Sequence, residues 1–305
     1  MRWRKLGRVY TAQGEHDWAT SHAYVPTSMM VNDERIRVYA AFRDAEGIGR
    51  VGYVDVDVAN PLQVLEVSPE PVLDIGEPGM FDDNGVTPLS LCRDGDTVRL
   101  YYAGWQLGVR VRYYLFTGLA VSADGGATFR RHARVPVLDR SDSEPLVRTG
   151  GCVLSRNGRW EMWYAGGGRF IEIDGKPRPT YNLRHLLSGD GVSWGDEGQV
   201  CLELEAEGEY GFGRPFVVDD GQRLRMWYSI RIAGIGYRLG YAESDDGLTW
   251  ERLDERAGLD VSADGWDSDM IGLACIQPTP HGTYMFYNGN AYGETGFGVA
   301  VAEGI

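Results

Sequence analysis

The chain has 305 residues, 43% of them apolar and 11% aromatic, which is ample for a packed core and excludes a disordered protein. Acidic residues outnumber basic ones 44 to 30, giving a net charge of −14, so a broad phosphate-binding surface, and with it a nucleic-acid partner, is not expected. Cys92, Cys152, Cys201 and Cys275 are scattered without metal-ligand or redox spacing. Met1 to Trp18 lacks the apolar segment of a signal peptide, and no run approaches the length of a membrane span. These features predict a cytoplasmic protein with no disulfide framework and no membrane insertion.

One short phrase recurs along the chain. Val38-Tyr39-Ala40-Ala41, Leu100-Tyr101-Tyr102-Ala103, Met162-Trp163-Tyr164-Ala165, Met226-Trp227-Tyr228-Ser229 and Met285-Phe286-Tyr287-Asn288 begin 62, 62, 64 and 59 positions apart. Each copy has an apolar run and a polar turn before it and an alternating run after it, and three are followed by Asp-Gly turns ending in an aromatic. Such runs read as antiparallel strands joined by hairpins, and no ten-residue stretch has a helical period. Five units of about sixty residues, each of four strands, predict an all-β, five-bladed β-propeller forming one domain over residues 1–305.

In chain order, the first blade takes Ser21 to Leu73 and the second Phe81 to Leu138. The third takes Leu146 to about Leu204, with an insertion from Gly166 to Asn182 that Pro177 and Pro179 mark as a poor strand and a rim or lid element. The fourth runs from Gly211 to Val261. The fifth takes Asp267 to Ala302 and needs Trp3 to Tyr10 as its fourth strand.

In such a fold the loops entering each innermost strand share a face with those leaving each second strand. At these addresses stand Asp17 and His22, Asp82 and Asp83, Glu144, Glu209 and Arg214, and Asp267; after the second strands come Arg43, Trp105, Arg231 and Asn290. The opposite face carries ordinary hairpin residues. Glycosyl transfer through an oxocarbenium-like transition state needs one carboxylic acid and one carboxylate held in different environments. Asp82 and Asp267 are the first choices for that pair, with Glu144, Glu209 and Asp17 as further candidates. Arg214 and Arg43 would orient a carboxylate or phosphate, with Arg231 in the same role. His22, Asp83 and Asn290 would bond sugar hydroxyls, and Trp105 would stack on a ring. Gly47-Ile48-Gly49-Arg50-Val51-Gly52 matches a dinucleotide fingerprint but opens no helix, so it reads as a hairpin.

The blade count, the acidic residues at the innermost strands, and the phrases Phe81-Asp82-Asp83-Asn84-Gly85-Val86, Gly213-Arg214-Pro215 and Gly265-Trp266-Asp267-Ser268 resemble glycoside hydrolase families 43 and 32 and the related family 130. They are most similar to a bacterial group of family-43-like proteins often encoded beside genes for surface polysaccharide synthesis. The resemblance implies a base Asp from the first blade, a modulating Asp from the second and an acid Glu from the third, mapping onto Asp17, Asp82 and Glu144. It implies a glycosidase-like enzyme acting on a sugar or glycan. A non-catalytic carbohydrate-binding propeller is the alternative, recognisable by carboxylates bonded to neighbouring loops. No cofactor is expected; calcium in the central channel, as in some family 43 members, is a weaker expectation that no spacing marks.

Overall fold

The repeat predicts sets of four strands, and the computed structural model, which describes residues 2–173 and 175–303, contains them in sequence. The first set is β2 (Ser21–Asn32), β3 (Arg35–Arg43), β4 (Gly49–Asp57) and β5 (Val64–Val67). The second is β6 (Val86–Asp94), β7 (Thr97–Leu107), β8 (Tyr113–Ser122) and β9 (Arg130–Arg131). The third is β10 (Val147–Arg156), β11 (Arg159–Ile173), β12 (Lys176–Ser188) and β13 (Gln199–Leu202). The fourth is β14 (Glu209–Asp219), β15 (Leu224–Ile232), β16 (Ile235–Ser244) and β17 (Glu251–Arg252). In the fifth, β18 (Gly272–Thr279), β19 (Gly282–Asn288) and β20 (Phe297–Glu303) are joined by β1 (Arg2–Tyr10), which pairs antiparallel to β20 with Trp3 opposite Ala302. Single parallel pairs, Val147 with Leu115 and Tyr181 with Gly211, link the second, third and fourth sets into one ladder.

The recurring phrase explains how the sets pack. Successive strand residues point to opposite faces, so two adjacent aromatics serve two interfaces. Tyr102 packs toward the first set and Tyr101 toward the third; Tyr164 packs toward the second and Trp163 toward the fourth. Tyr228 and Trp227 do the same for the third and fifth sets, and Tyr287 and Phe286 for the fourth and first. The last of these interfaces joins Phe286, Phe297 and Val299 to Ile36, Val38 and Phe42, so the final set packs on the first. The Asp-Gly turns fasten these interfaces from outside: the carbonyls of Gly126, Gly191 and Gly247 accept hydrogen bonds from Tyr39, Tyr101 and Trp163 of the preceding set.

Each innermost strand is bulged at the same level. Ladder pairing skips Val25-Pro26, Leu89, Gly150-Gly151, Arg214-Pro215 and Leu273-Ala274. Bulges re-aim side chains, and here Val25, Leu89 and Leu273 converge with Tyr24, Ala41, Ala103, Tyr237 and Met270 in a central apolar cluster. Val25, Arg214 and Leu273 hold positive φ of 55°, 42° and 57°, a strained backbone that the surrounding ladders must enforce.

The expected rim loop at 166–182 is instead a strand extension. β11 and β12 continue as a hairpin in which Pro177 faces Glu172 and Pro179 faces Phe170. Two strands alone have free outer edges, and a proline there costs no ladder hydrogen bond.

Candidate functional site

The register sets the start of each innermost strand across from the end of the second: Ser21 faces Arg43, Val86 faces Gly104, Val147 faces Gly167, Glu209 faces Ile232 and Gly272 faces Asn288. The residues picked from the sequence therefore do lie toward one face. Asp82, Glu144 and Asp267 are buried rather than open to it.

Asp82 is fully buried; it accepts from Tyr102 Oη at 2.9 Å and from Arg131 Nε at 2.7 Å. Glu144, also fully buried, accepts from Tyr164 Oη at 2.7 Å, Arg148 Nε at 3.1 Å and the Gly198 amide at 2.8 Å, with Arg184 Nη1 at 3.4 Å. Asp267, 2% exposed, takes Tyr287 Oη at 3.0 Å and Lys5 Nζ at 2.6 Å, which ties β1 into the fifth set. In the fourth set the parts are shuffled: Tyr228 donates to Asp254, and Arg252 bridges Asp254 and Glu209. Burial opposes ionisation of Glu209, but Arg252 and the amides of Ala206 and Glu205 outweigh it and hold the carboxyl below its usual range, the reverse of what a general acid needs. Asp17 is exposed at the tip of a tight turn between His16 and Ala19.

These carboxylates share a pattern that the sequence carried openly. Asp82 and Tyr102, Glu144 and Tyr164, and Asp267 and Tyr287 are each 20 residues apart. Opposite Tyr102, Tyr228 and Tyr287 on the third strand stand Gly118, Gly240 and Gly298, and a Cβ on Gly118 would lie 2.3 Å from the Tyr102 ring. Gly118 and Gly240 make room for the phenol that reaches back to a carboxylate, whereas Gly298 makes room for the Trp266 ring and the Gly7 carbonyl. In the third set Arg184 takes the glycine's place and reaches Glu144 itself. Asp82, Glu144 and Asp267 are thus each a clasp within their own set.

Other residues chosen from the sequence are also engaged locally. Asp83 accepts the Gly79 amide and closes a turn. Asn290 accepts the amides of Asp269 and Met270 and donates to Gly265. Trp105 donates to Thr87 at 3.0 Å while its ring lies 5.1 Å from Tyr113. Arg214 reaches the axis but is buried there: it donates to the carbonyls of Leu273, Ala274, Pro26 and Leu89 and to Thr27 Oγ1. It ties the bulged strands β2, β6 and β18 together at that level.

Above Arg214 the mouth is aromatic and cationic. Arg43 Nη1 lies 3.2 Å from His22 Nε2, and its guanidinium sits 4.9 Å over Tyr24. Arg231 lies 4.2 Å over Tyr210 and 5.0 Å over Tyr181, donating to the Tyr181 hydroxyl and to Pro179 O. Tyr237 and the 43% exposed Tyr292 meet edge to face at 4.9 Å. Tyr113, Tyr181 and Tyr237 lie outside the two addresses per set from which the sequence candidates come. They sit in the third strands, β8, β12 and β16, whose beginnings necessarily share the face on which the second strands end; a third address per set would have found them. Among the described residues no group of three or more metal-ligating side chains gathers, and calcium has no marked seat.

His22 allows a pH prediction. Burial first and Arg43 second push its pKa down to about 4, with Glu294 opposing, whereas an unfolded histidine titrates near 6.5. The unfolded chain then binds the extra proton between these values, so stability is full above pH ~6.5 and falls as pH drops toward ~4. Urea midpoints across this range should show that fall, and His22→Gln should reduce it.

Over 303 residues the chain is 39% identical to the Mycobacterium tuberculosis H37Rv protein named Uncharacterized protein Rv1502, covering 99% of this chain and 100% of that one. The strain CDC 1551 protein MT1551 matches to the same extent. No family model matches. Among solved structures, BT0996 in its RGII complex superposes with a TM-score of 0.73 at 19% identity, covering 98% of this chain and 91% of that one. A thermostable family-43 glycoside hydrolase gives 0.68 at 17%, covering 92% and 88%, and the Bombyx mori family-32 β-fructofuranosidase BmSUC1 gives 0.61 at 15%, covering 94% and 62%. At these identities the likeness is one of fold, and that fold is the one of the propeller glycosidases.

Proposed function

The chain belongs to the family of the mycobacterial Rv1502 protein, and we propose that it is a single-domain, five-bladed propeller that binds a carbohydrate at its mouth without cleaving it. The observation that carries this reading is the burial of Asp82, Glu144 and Asp267, each at 2% exposure or less and each bonded to its own tyrosine and cation. Glycosidic cleavage needs two carboxyl groups in contact with the scissile bond. Here a substrate would first have to strip Arg131 from Asp82 or Arg148 from Glu144. Sugar binding needs only hydrogen-bonding groups and aromatic faces, which the mouth offers in Trp105, Tyr113 and Tyr292. The fold shared with glycoside hydrolases, and with BT0996 solved as an RGII complex, supports a sugar as the ligand class.

The same shared fold keeps glycosidic cleavage as the second reading. Calorimetric titration with a panel of sugars, run beside hydrolysis assays on nitrophenyl glycosides, separates the two. Binding without turnover is expected. Turnover that Asp82→Asn abolishes at an unchanged melting temperature would restore the glycosidase.

A further inference from the structure

We infer that the sugar taken at the mouth carries an oxyanion, a phosphate or a carboxylate, and that Arg231 seats it. The inference rests on the sugar-binding reading and adds the charge of the ligand to it.

Among the described residues four arginines are less than a tenth exposed: Arg37, Arg148, Arg214 and Arg231. Arg37 and Arg148 are paired with the buried carboxylates Asp55 and Glu144. Arg214 has no carboxylate and its Nε is likewise unpartnered, but it spends both terminal nitrogens on four carbonyls of the bulged strands and on Thr27 Oγ1. Arg231 is 3% exposed and has neither compensation: one carbonyl, one phenol, and an Nε that is buried without any partner. Burial works against its charge, but the surrounding phenols of Tyr181, Tyr237, Tyr210 and Tyr292 outweigh that and keep it firmly protonated. Aromatic faces attract a cation more weakly than a carboxylate does. The cage therefore holds a permanent positive charge whose counter-ion none of the described residues supplies.

A second observation points the same way. Arg43, in the first set, also has a buried Nε with no partner, and its side-chain neighbours are the Tyr24 ring and a histidine that stays neutral, so it too presents charge that no described carboxylate pairs. Tyr113, beside Trp105, lies within electrostatic reach of Arg231, Arg178 and Arg112. Of the acids toward this face, Asp44 is paired with Arg50, Asp83 accepts the Gly79 amide, and Glu294, Asp269 and Asp17 are exposed to solvent, none of them in an ion pair with Arg231 or Arg43. In a chain of net charge −14, two arginines at the mouth that no described carboxylate pairs, each with a buried and unpartnered Nε, stand out. A guanidinium fork suits phosphate and carboxylate alike, while a neutral sugar would leave both orphaned donors unpaired.

The experiment is a thermal-shift and calorimetric series on the full chain. Its probes are the 1-phosphates and uronates of glucose, galactose and mannose, their neutral parents, and inorganic phosphate. At least one charged member should bind, weakening as sodium chloride is raised, with its neutral parent binding far more weakly. The phosphate and uronate arms identify which oxyanion is meant. Arg231→Gln should weaken the charged ligand roughly 10- to 100-fold, as expected for loss of charge-assisted hydrogen bonds. Arg43→Gln, at a less buried position, provides the same test if Arg231→Gln fails to fold. Equal binding of charged and neutral sugars would overturn the inference while leaving sugar binding intact. So would retention of wild-type affinity in both variants, or failure of every charged probe. Turnover of a nitrophenyl glycoside instead removes the non-catalytic reading beneath it, an outcome the binding series does not produce by itself.

Discussion

Glu144→Ala should lower the stability of the protein by about 3–5 kcal/mol, because breaking a buried ion pair from one side leaves the other charge stranded. The side chain is the convergence point of Arg148, Arg184, Tyr164 and the Gly198 amide, all within 3.4 Å, and none of its surface is exposed. Removing it leaves Arg148, itself 3% exposed, with only the carbonyls of Asp139 and Gly195. It also opens a cavity beside the Tyr164 ring, adding a packing loss. For a domain of this size the expected fall in melting temperature is roughly 6–10 °C, using ~2 °C per kcal/mol. The experiment is sharp because the catalytic reading predicts the opposite. A catalytic acid held in place by the fold is commonly dispensable for folding, and its loss would abolish turnover at an unchanged melting temperature. A melting curve for Glu144→Ala that overlays the wild type would sink the clasp interpretation, for Asp82 and Asp267 as well, since the three are built alike.

The clasp also shows what the sequence made legible and what it hid. The five phrases located the second strands because adjacent aromatics at Tyr101-Tyr102, Trp163-Tyr164 and Trp227-Tyr228 must face two apolar interfaces at once, and only a strand between two packed sheets provides them. The acidic positions were visible too, but their role was not. A carboxylate at the start of an innermost strand looks the same in one dimension whether it points at a ligand or back at a phenol. The 20-residue interval to Tyr102, Tyr164 and Tyr287, with Gly118 and Gly298 facing the first and last of these, distinguishes the two. Arg131, Arg184 and Lys5 could not be inferred as partners, because each arrives from a strand other than the one that the carboxylate precedes and the one that holds its tyrosine. The hairpin at 166–182 was hidden for another reason. Pro177 and Pro179 argue against a central strand, and the sequence alone does not reveal that these prolines lie where no further strand pairs.

Arg214→Met should be the other severe variant, and here two large effects oppose each other. Arg214 is buried without a carboxylate, its Nε has no partner, and its φ of 42° is unfavourable for a side-chain-bearing residue. Burying an unpaired charge is costly, and replacing buried ionic groups by apolar ones of similar volume is often neutral or stabilising. On that ground alone Met would be tolerated. The acceptors decide otherwise. Carbonyls of Pro26, Leu89, Leu273 and Ala274 come from three bulged strands, β2, β6 and β18, whose ladders skip these residues, and the guanidinium satisfies all four. Without it they converge in a dry interior, each unsatisfied group costing ~1–3 kcal/mol. Two or more such losses exceed what relief of one buried charge returns, so a net loss of about 4 kcal/mol is expected, at the upper end for a single substitution. Arg214→Lys should fare little better, because one ammonium cannot span acceptors on three strands as a planar fork does. Chemical denaturation of both variants measures this directly. A methionine variant as stable as the wild type would mean that the bulges hold their own geometry and that the arginine is tolerated at the axis rather than required there.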